Sequence, residues 1–144
     1  TPADAKKISS GFTAWAREQS SVRAIAMVGS WAREKARPDS DLDLLVLTND
    51  KGAWTSGSEW INAIAISLGF QADKAKLETY GVVKSWRVWL GKQVELELTL
   101  GDISWAGVDP IDNGTREVIK DGFRILIDKD NLLTDLRSAV GNTH

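Results

Sequence analysis

Ser40-Asp41-Leu42-Asp43-Leu44-Leu45-Val46, with Gly29-Ser30 shortly before it, is the stretch from which the rest of the chain can be read. It is an apolar run with the composition of a strand, and two carboxylates stand inside it one residue apart. In an extended strand successive side chains point to opposite faces, so Asp41 and Asp43 share one face and Leu42 and Leu44 the other. Two like charges on one face at the mouth of a buried strand repel each other and lose solvation. A strongly positive group between them relieves both costs, and hard oxygen ligands select Mg2+ or a similar cation. In the turn, glycine carries no side chain, so backbone N–H groups at Gly29-Ser30 can approach a phosphate closely. Asp39 and Asp41 alone would read as a solvated turn after Pro38. Asp43 does not fit that reading, because the apolar run around it continues to Leu47.

A phosphate cradle, a divalent cation and paired aspartates together read as nucleotidyl transfer. On the residues Gly29-Ser30-Trp31-Ala32-Arg33 through Ser40-Asp41-Leu42-Asp43-Leu44, the chain resembles the polymerase-β-like nucleotidyltransferase superfamily. It is most similar there to the small minimal nucleotidyltransferases and to the catalytic domains of aminoglycoside nucleotidyltransferases. In those families a Gly-Ser turn, often followed by Ala-Arg, precedes an Asp-x-Asp strand by a similar distance. The signature spans residues 29 to 46, is specific for the superfamily and says little about the substrate. The resemblance implies an α/β (α+β) fold, a mixed β-sheet flanked by helices, in one nucleotidyltransferase domain over residues 1–144.

Composition narrows the function classes. A length of 144 residues suits one domain with a sizeable core. The net charge of −2 offers no basic field for long nucleic acid, which argues against a template-dependent polymerase. With no cysteine, a disulfide framework and a cysteine-ligated zinc site are both excluded. The one histidine, His144, ends the chain, which leaves the acid–base work to carboxylates. No apolar run approaches membrane-spanning length and no signal-peptide pattern opens the chain, so no membrane partner and cytoplasmic residence are expected. Seven tryptophans invite a base-stacking role, but Trp15 follows Ile8 and Phe12 at helical spacing and reads as core. Trp86 and Trp89 fall on opposite faces of a regular strand, which leaves one of them free to meet a ligand.

Periodicity supplies the element order. Residues 4 to 19 read as an amphipathic helix carrying Ile8, Phe12 and Trp15, and residues 22 to 28 as a strand feeding the turn. A short helix over 31–36 starts at Ser30 and stops before Pro38. The aspartate strand runs over 41–48. Ser58 is placed to cap a helix with Ile61, Ile64, Ala65 and Leu68 on one face and Gly69 closing it. Residues 75 to 80 give no clear pattern. Residues 82 to 90 and 93 to 100 read as a hairpin joined by Gly91-Lys92. Residues 107 to 114 read as loop, 123 to 127 as a strand and 131 to 140 as a last helix.

Nucleotidyl transfer with two cations calls for a third carboxylate on a neighbouring strand. In Val94-Glu95-Leu96-Glu97-Leu98 the leucines alternate to one face and Glu95 and Glu97 to the other. A solvent-facing pair is the plain reading of that pattern, and the Asp-x-Asp strand together with the superfamily's element order overrides it. Glu95 is favoured as the first acid after the hairpin and is expected beside Asp43, although many relatives carry aspartate there.

The resemblance then implies a site. Asp41, Asp43 and Glu95 are the catalytic and metal-binding residues, holding two Mg2+ ions, with Mn2+ as the alternative. Gly29, Ser30 and Arg33 bind the phosphates of a nucleoside triphosphate, most simply ATP. Lys84 and Arg87 are weaker phosphate candidates, with a solvated face favoured for each. Larger resistance enzymes add a helical domain to hold the acceptor. An unidentified acceptor would here be held by loops, by a second subunit in a homodimer, or by a partner chain. Three roles stay open: modification of a small hydroxylated molecule, an antitoxin-type enzyme that adenylylates a helical toxin, and a nucleotide-binding module without turnover.

Overall fold

The computed structural model describes residues 2–29, 41–80, 83–90, 94–106, 113–121 and 123–141. Helix α1 (Pro2–Glu18) leads into β1 (Val22–Val28), and β2 (Leu42–Thr48) carries the aspartates. Two helices, α2 (Lys51–Thr55) and α3 (Glu59–Ser67), precede three consecutive strands, β3 (Ala72–Tyr80), β4 (Val83–Leu90) and β5 (Val94–Asp102). A 3-10 turn (Ile103–Ala106), α4 (Asn113–Asp121), β6 (Phe123–Asp128) and α5 (Leu132–Gly141) follow. Among the described residues, six strands form one mixed sheet in the order β3-β4-β5-β2-β1-β6, with β2 and β5 parallel and every other neighbouring pair antiparallel. The mixed sheet flanked by helices is the fold class expected from the sequence.

Alternation along the strands builds two cores, one on each face. Leu42, Leu44 and Val46 of β2 pack with Leu96, Leu98 and Leu100 of β5 and with Ile8 and Phe12 of α1. On the other face Leu45 and Leu47 pack with Leu133, Leu136 and Val140 of α5. Ile61 and Ala65 bury the expected face of α3. The helix ends at Gly69, whose φ of +85° is the left-handed closure that glycine permits. Ser58 occupies the N-cap position of α3 but its side chain makes no capping bond.

Tryptophans fill the first core. Trp15 stacks on Trp60 with ring centroids 4.9 Å apart, and Trp54 meets both edge-on. The Trp54 carbonyl accepts from Trp60 Nε1 at 3.2 Å and from Trp86 Nε1 at 2.8 Å, which ties the partly buried Trp54 and Trp60 and the buried Trp86 together. Trp86 is buried and Trp89 half-buried, as their opposite faces require. Lys129, just past β6, donates to the carbonyls of Ala16 and Gln19 at 2.9 and 2.8 Å, and so caps α1 with a cation.

Some expectations shift. Residues 75–80, patternless as sequence, belong to β3, an edge strand bearing Lys74 and Lys76. The helix α2 is a short turn capped by Asp50, whose Oδ1 accepts from the Ala53 N–H at 3.3 Å. Asn113 and Gly114, read as loop, begin α4. The hairpin pairs Leu90 with Val94, one residue later than a two-residue Gly91-Lys92 turn would give. The connection itself, the short helix expected over 31–36 and most of the loop over 107–114 lie outside the described residues. Among the described residues no helix is long and apolar enough to cross a membrane.

Candidate active site

Because Leu42, Leu44 and Val46 must bury on one face, Asp41 and Asp43 emerge on the other, at the start of β2 and in line with Leu45 and Leu47. The same alternation puts Glu95 and Glu97 of β5 on that face, since Leu96 and Leu98 are buried on the first. The parallel ladder pairs Leu42 with Leu96 and Asp43 with Glu97. Glu97 is therefore the glutamate beside Asp43, and Glu95 lies level with Asp41. The expectation that Glu95 stands beside Asp43 is corrected by one pleat of the register. The carboxylate row stays partly open to solvent, with side-chain exposures of 41% for Asp41, 28% for Glu95 and 24% for Glu97. The helices on this side, α4 and α5, contact β1 and β6.

Gly29 follows β1 directly and has a φ of +77°. A Cβ built there would stand 2.6 Å from Asp43 Oδ2, so only glycine lets the turn pass against this carboxylate. The turn and the first acidic pair are thus one structural unit. Ser30 and Arg33, the other expected phosphate ligands, lie outside the described residues.

Arg87 of β4 is the residue that sequence reasoning misplaced. It points at the carboxylates rather than out into solvent. Its guanidinium donates to Glu95 Oε1 at 2.7 Å, to Glu97 Oε2 at 3.0 Å and to Glu78 Oε1 at 3.2 Å, and lies 3.8 Å from Asp41 Oδ2. Four carboxylates, Asp41, Glu78, Glu95 and Glu97, thus gather around one guanidinium, with Asp43 next along β2. The available signal was the alternation that separates Arg87 from the buried Trp86 and Val88. Its use required the hairpin register, since a two-residue turn would set Arg87 opposite Leu96 and not Glu97.

The crowding shows in the acids' affinity for protons. Burial, then the negative charge of Glu97 and of Asp41, pushes the Asp43 carboxyl up to about 7. Burial, then a hydrogen bond and the charge of Glu95, pushes Asp41 up to about 6. The hydrogen bonds to Glu95 raise the Arg87 guanidinium further above its already high range. Carboxylates that resist ionisation side by side call for additional positive charge.

The donor set suits a divalent cation: hard carboxylate oxygens from two adjacent strands, with a surplus of negative charge that Arg87 only partly offsets. Among the described residues no three of these groups already form a closed cage. They fit the group in chemistry, while Arg87 draws the two glutamates to its own donors.

Comparison with curated proteins returns no match. A family model described as streptomycin adenylyltransferase matches residues 4–143. That match runs from the first turn of α1 to the end of α5 and takes in the Gly29 turn, the aspartate strand and the glutamate strand. The acidic face and the matched span agree, and the chain belongs to the streptomycin adenylyltransferase family as a nucleotidyltransferase enzyme.

Proposed function

We propose that the chain transfers a nucleoside monophosphate from a nucleoside triphosphate, ATP by preference, to a hydroxyl of a small cationic acceptor, releasing pyrophosphate. The observation that carries this reading is the apposition of Asp41 and Asp43 with Glu95 and Glu97 across the parallel β2–β5 ladder, against the Gly29 turn. Asp41, Asp43 and a β5 glutamate would hold divalent cations, Mg2+ or Mn2+. When bound, such cations stabilise charge on the transferring phosphoryl group and acidify an attacking hydroxyl.

The chain's own residues supply the rest. Gly29, with Ser30 and Arg33, offers donors and positive charge to the triphosphate. The β5 glutamate accepts the acceptor's hydroxyl proton as the new O–P bond forms and the bond to pyrophosphate breaks. Glu95 is one candidate for that role, and Glu97 is the better one by register, because it faces Asp43. The surplus of carboxylates favours a cationic acceptor over an anionic one. The family's description names streptomycin, so streptomycin is the first acceptor to test, ahead of a protein.

The test is pyrophosphate release from ATP with streptomycin and related aminoglycosides, with and without Mg2+. Asp41→Ala and Asp43→Ala should abolish it, as should removal of the metal. Loss of a general base is typically worth about 10² to 10⁴ in rate. Glu97→Gln should fall in that range while keeping nucleotide affinity, and Glu95→Gln should fall less. Activity that ignores metal would overturn the two-cation reading, and the opposite glutamate ranking would return the role to Glu95.

A further inference from the structure

Just beyond the acidic row, on the same face, lies a cavity of about 150 Å3 lined by Val28, Leu45, Val83, Thr99, Trp105 and Val118. Its floor continues the carboxylate ladder. Leu45 follows Asp43 on this face of β2, Thr99 follows Glu97 on β5, and Leu45 and Thr99 are paired partners. Val28 sits opposite Asp43 on β1 and immediately precedes Gly29. Its walls are Trp105 of the 3-10 turn, Val118 of α4 and Val83 of β4. Leu45 is buried, while the other five side chains keep part of their surface exposed, so the cavity belongs to the surface of the cleft and not to the sealed core.

We propose that this cavity receives the flat aromatic ring of the nucleotide's base; the proposal rests on the nucleotidyl-transfer reading above. Two residues along a strand span about 7 Å, the kind of separation that one sugar puts between a base and its 5′-phosphate. A phosphate held at Gly29 and Asp43 therefore places the base over Leu45 and Thr99. An aliphatic-lined recess of about 150 Å3 gains from covering the apolar faces of a flat ring. Trp105 adds aromatic surface to the lining, and the side-chain polar atoms are few. They are the Trp105 N–H and the Thr99 hydroxyl, which is 2.8 Å from the Ser85 hydroxyl. Such a lining binds a ring by its faces and reads little of its polar edge.

The experiment compares calorimetric binding of ATP and of inorganic tripolyphosphate, both with saturating Mg2+, to the full chain. In the natural sequence ATP should bind at least about tenfold more tightly than tripolyphosphate, the scale of one stacked base. Val118→Trp and Val83→Trp fill the cavity from opposite walls and should each erase that advantage while tripolyphosphate affinity is unchanged. Retained tripolyphosphate binding shows that a variant is folded and its phosphate site intact. If both ligands weaken equally, or ATP keeps its advantage in both variants, the base lies elsewhere and the proposal is wrong while the phosphate site stands. If the natural sequence binds neither ligand, the transfer reading fails and this inference falls with it.

Discussion

At the scale of single residues, Asp43 meets two neighbours that pull in the same direction. Gly29 presses against its Oδ2 from one side and Glu97 faces it from the next strand. The carboxylate is held where a cation would relieve it. Gly29→Ala tests the first contact: the added Cβ meets Asp43 Oδ2, and a φ of +77° costs a non-glycine residue about 1 to 2 kcal/mol. Thermal unfolding should register that loss, and triphosphate binding should fall with it because Asp43 must move. A variant with normal nucleotide affinity would separate the turn from the phosphate site. The placement of Asp41 and Asp43 on one face was legible in the sequence, since a carboxylate inside an apolar run has few structural reasons to exist. The choice between Glu95 and Glu97 was not, because the pattern assigns both to one face and only cross-strand register distinguishes them.

Among the elements, the three strands β3, β4 and β5 do more than extend the sheet. Glu78, Arg87 and the pair Glu95 and Glu97 come from successive strands and meet on one face. Removing the cation leaves three partly buried carboxylates facing one another. Arg87→Met should therefore destabilise the metal-free protein by about 1 to 3 kcal/mol. Saturating Mg2+ should recover part of that loss, because binding to the folded state alone adds stability. The check is a melting temperature measured with and without the metal, with Arg87→Lys as the variant that keeps the charge and loses the fork. A fall in Arg87→Met that Mg2+ leaves untouched would assign the arginine to structure alone. The hairpin strands were readable from alternation, whereas β3 was not: its lysines are the charges by which an edge strand discourages pairing with other chains. The one-residue error in the hairpin turn mattered most. A slip of one residue exchanges the two faces of a strand, so a two-residue turn would have set Arg87 across from the buried Leu96 instead of Glu97.

For the molecule as a whole, the acidic face sets a pH dependence opposite in sign to that of an ion-paired surface. Asp43 and Asp41 have folded-state values raised to about 7 and about 6. A carboxyl raised on folding favours the native state while protonated, so that contribution is complete below the unfolded value and is lost as pH rises through the folded one. Metal-free protein should accordingly become less stable from about pH 4 to pH 7. For Asp43, discounted for its partial exposure, the loss is on the order of 1 to 2 kcal/mol. Asp43→Asn should flatten the profile at the expense of activity, and a denaturant series across this window without added metal measures it. A profile that rises through the window would contradict the crowded-carboxylate account. The parallel pairing of β2 with β5 has a last consequence, in time rather than in space. Asp43 and Glu97 are 54 positions apart (97 − 43), so their apposition is a non-local contact that local structure cannot prefigure. While the chain is being synthesised, the aspartates emerge well before the glutamates that face them. The acidic face therefore does not exist in a nascent chain until the β4–β5 hairpin has docked, and its charge repulsion enters only as folding completes.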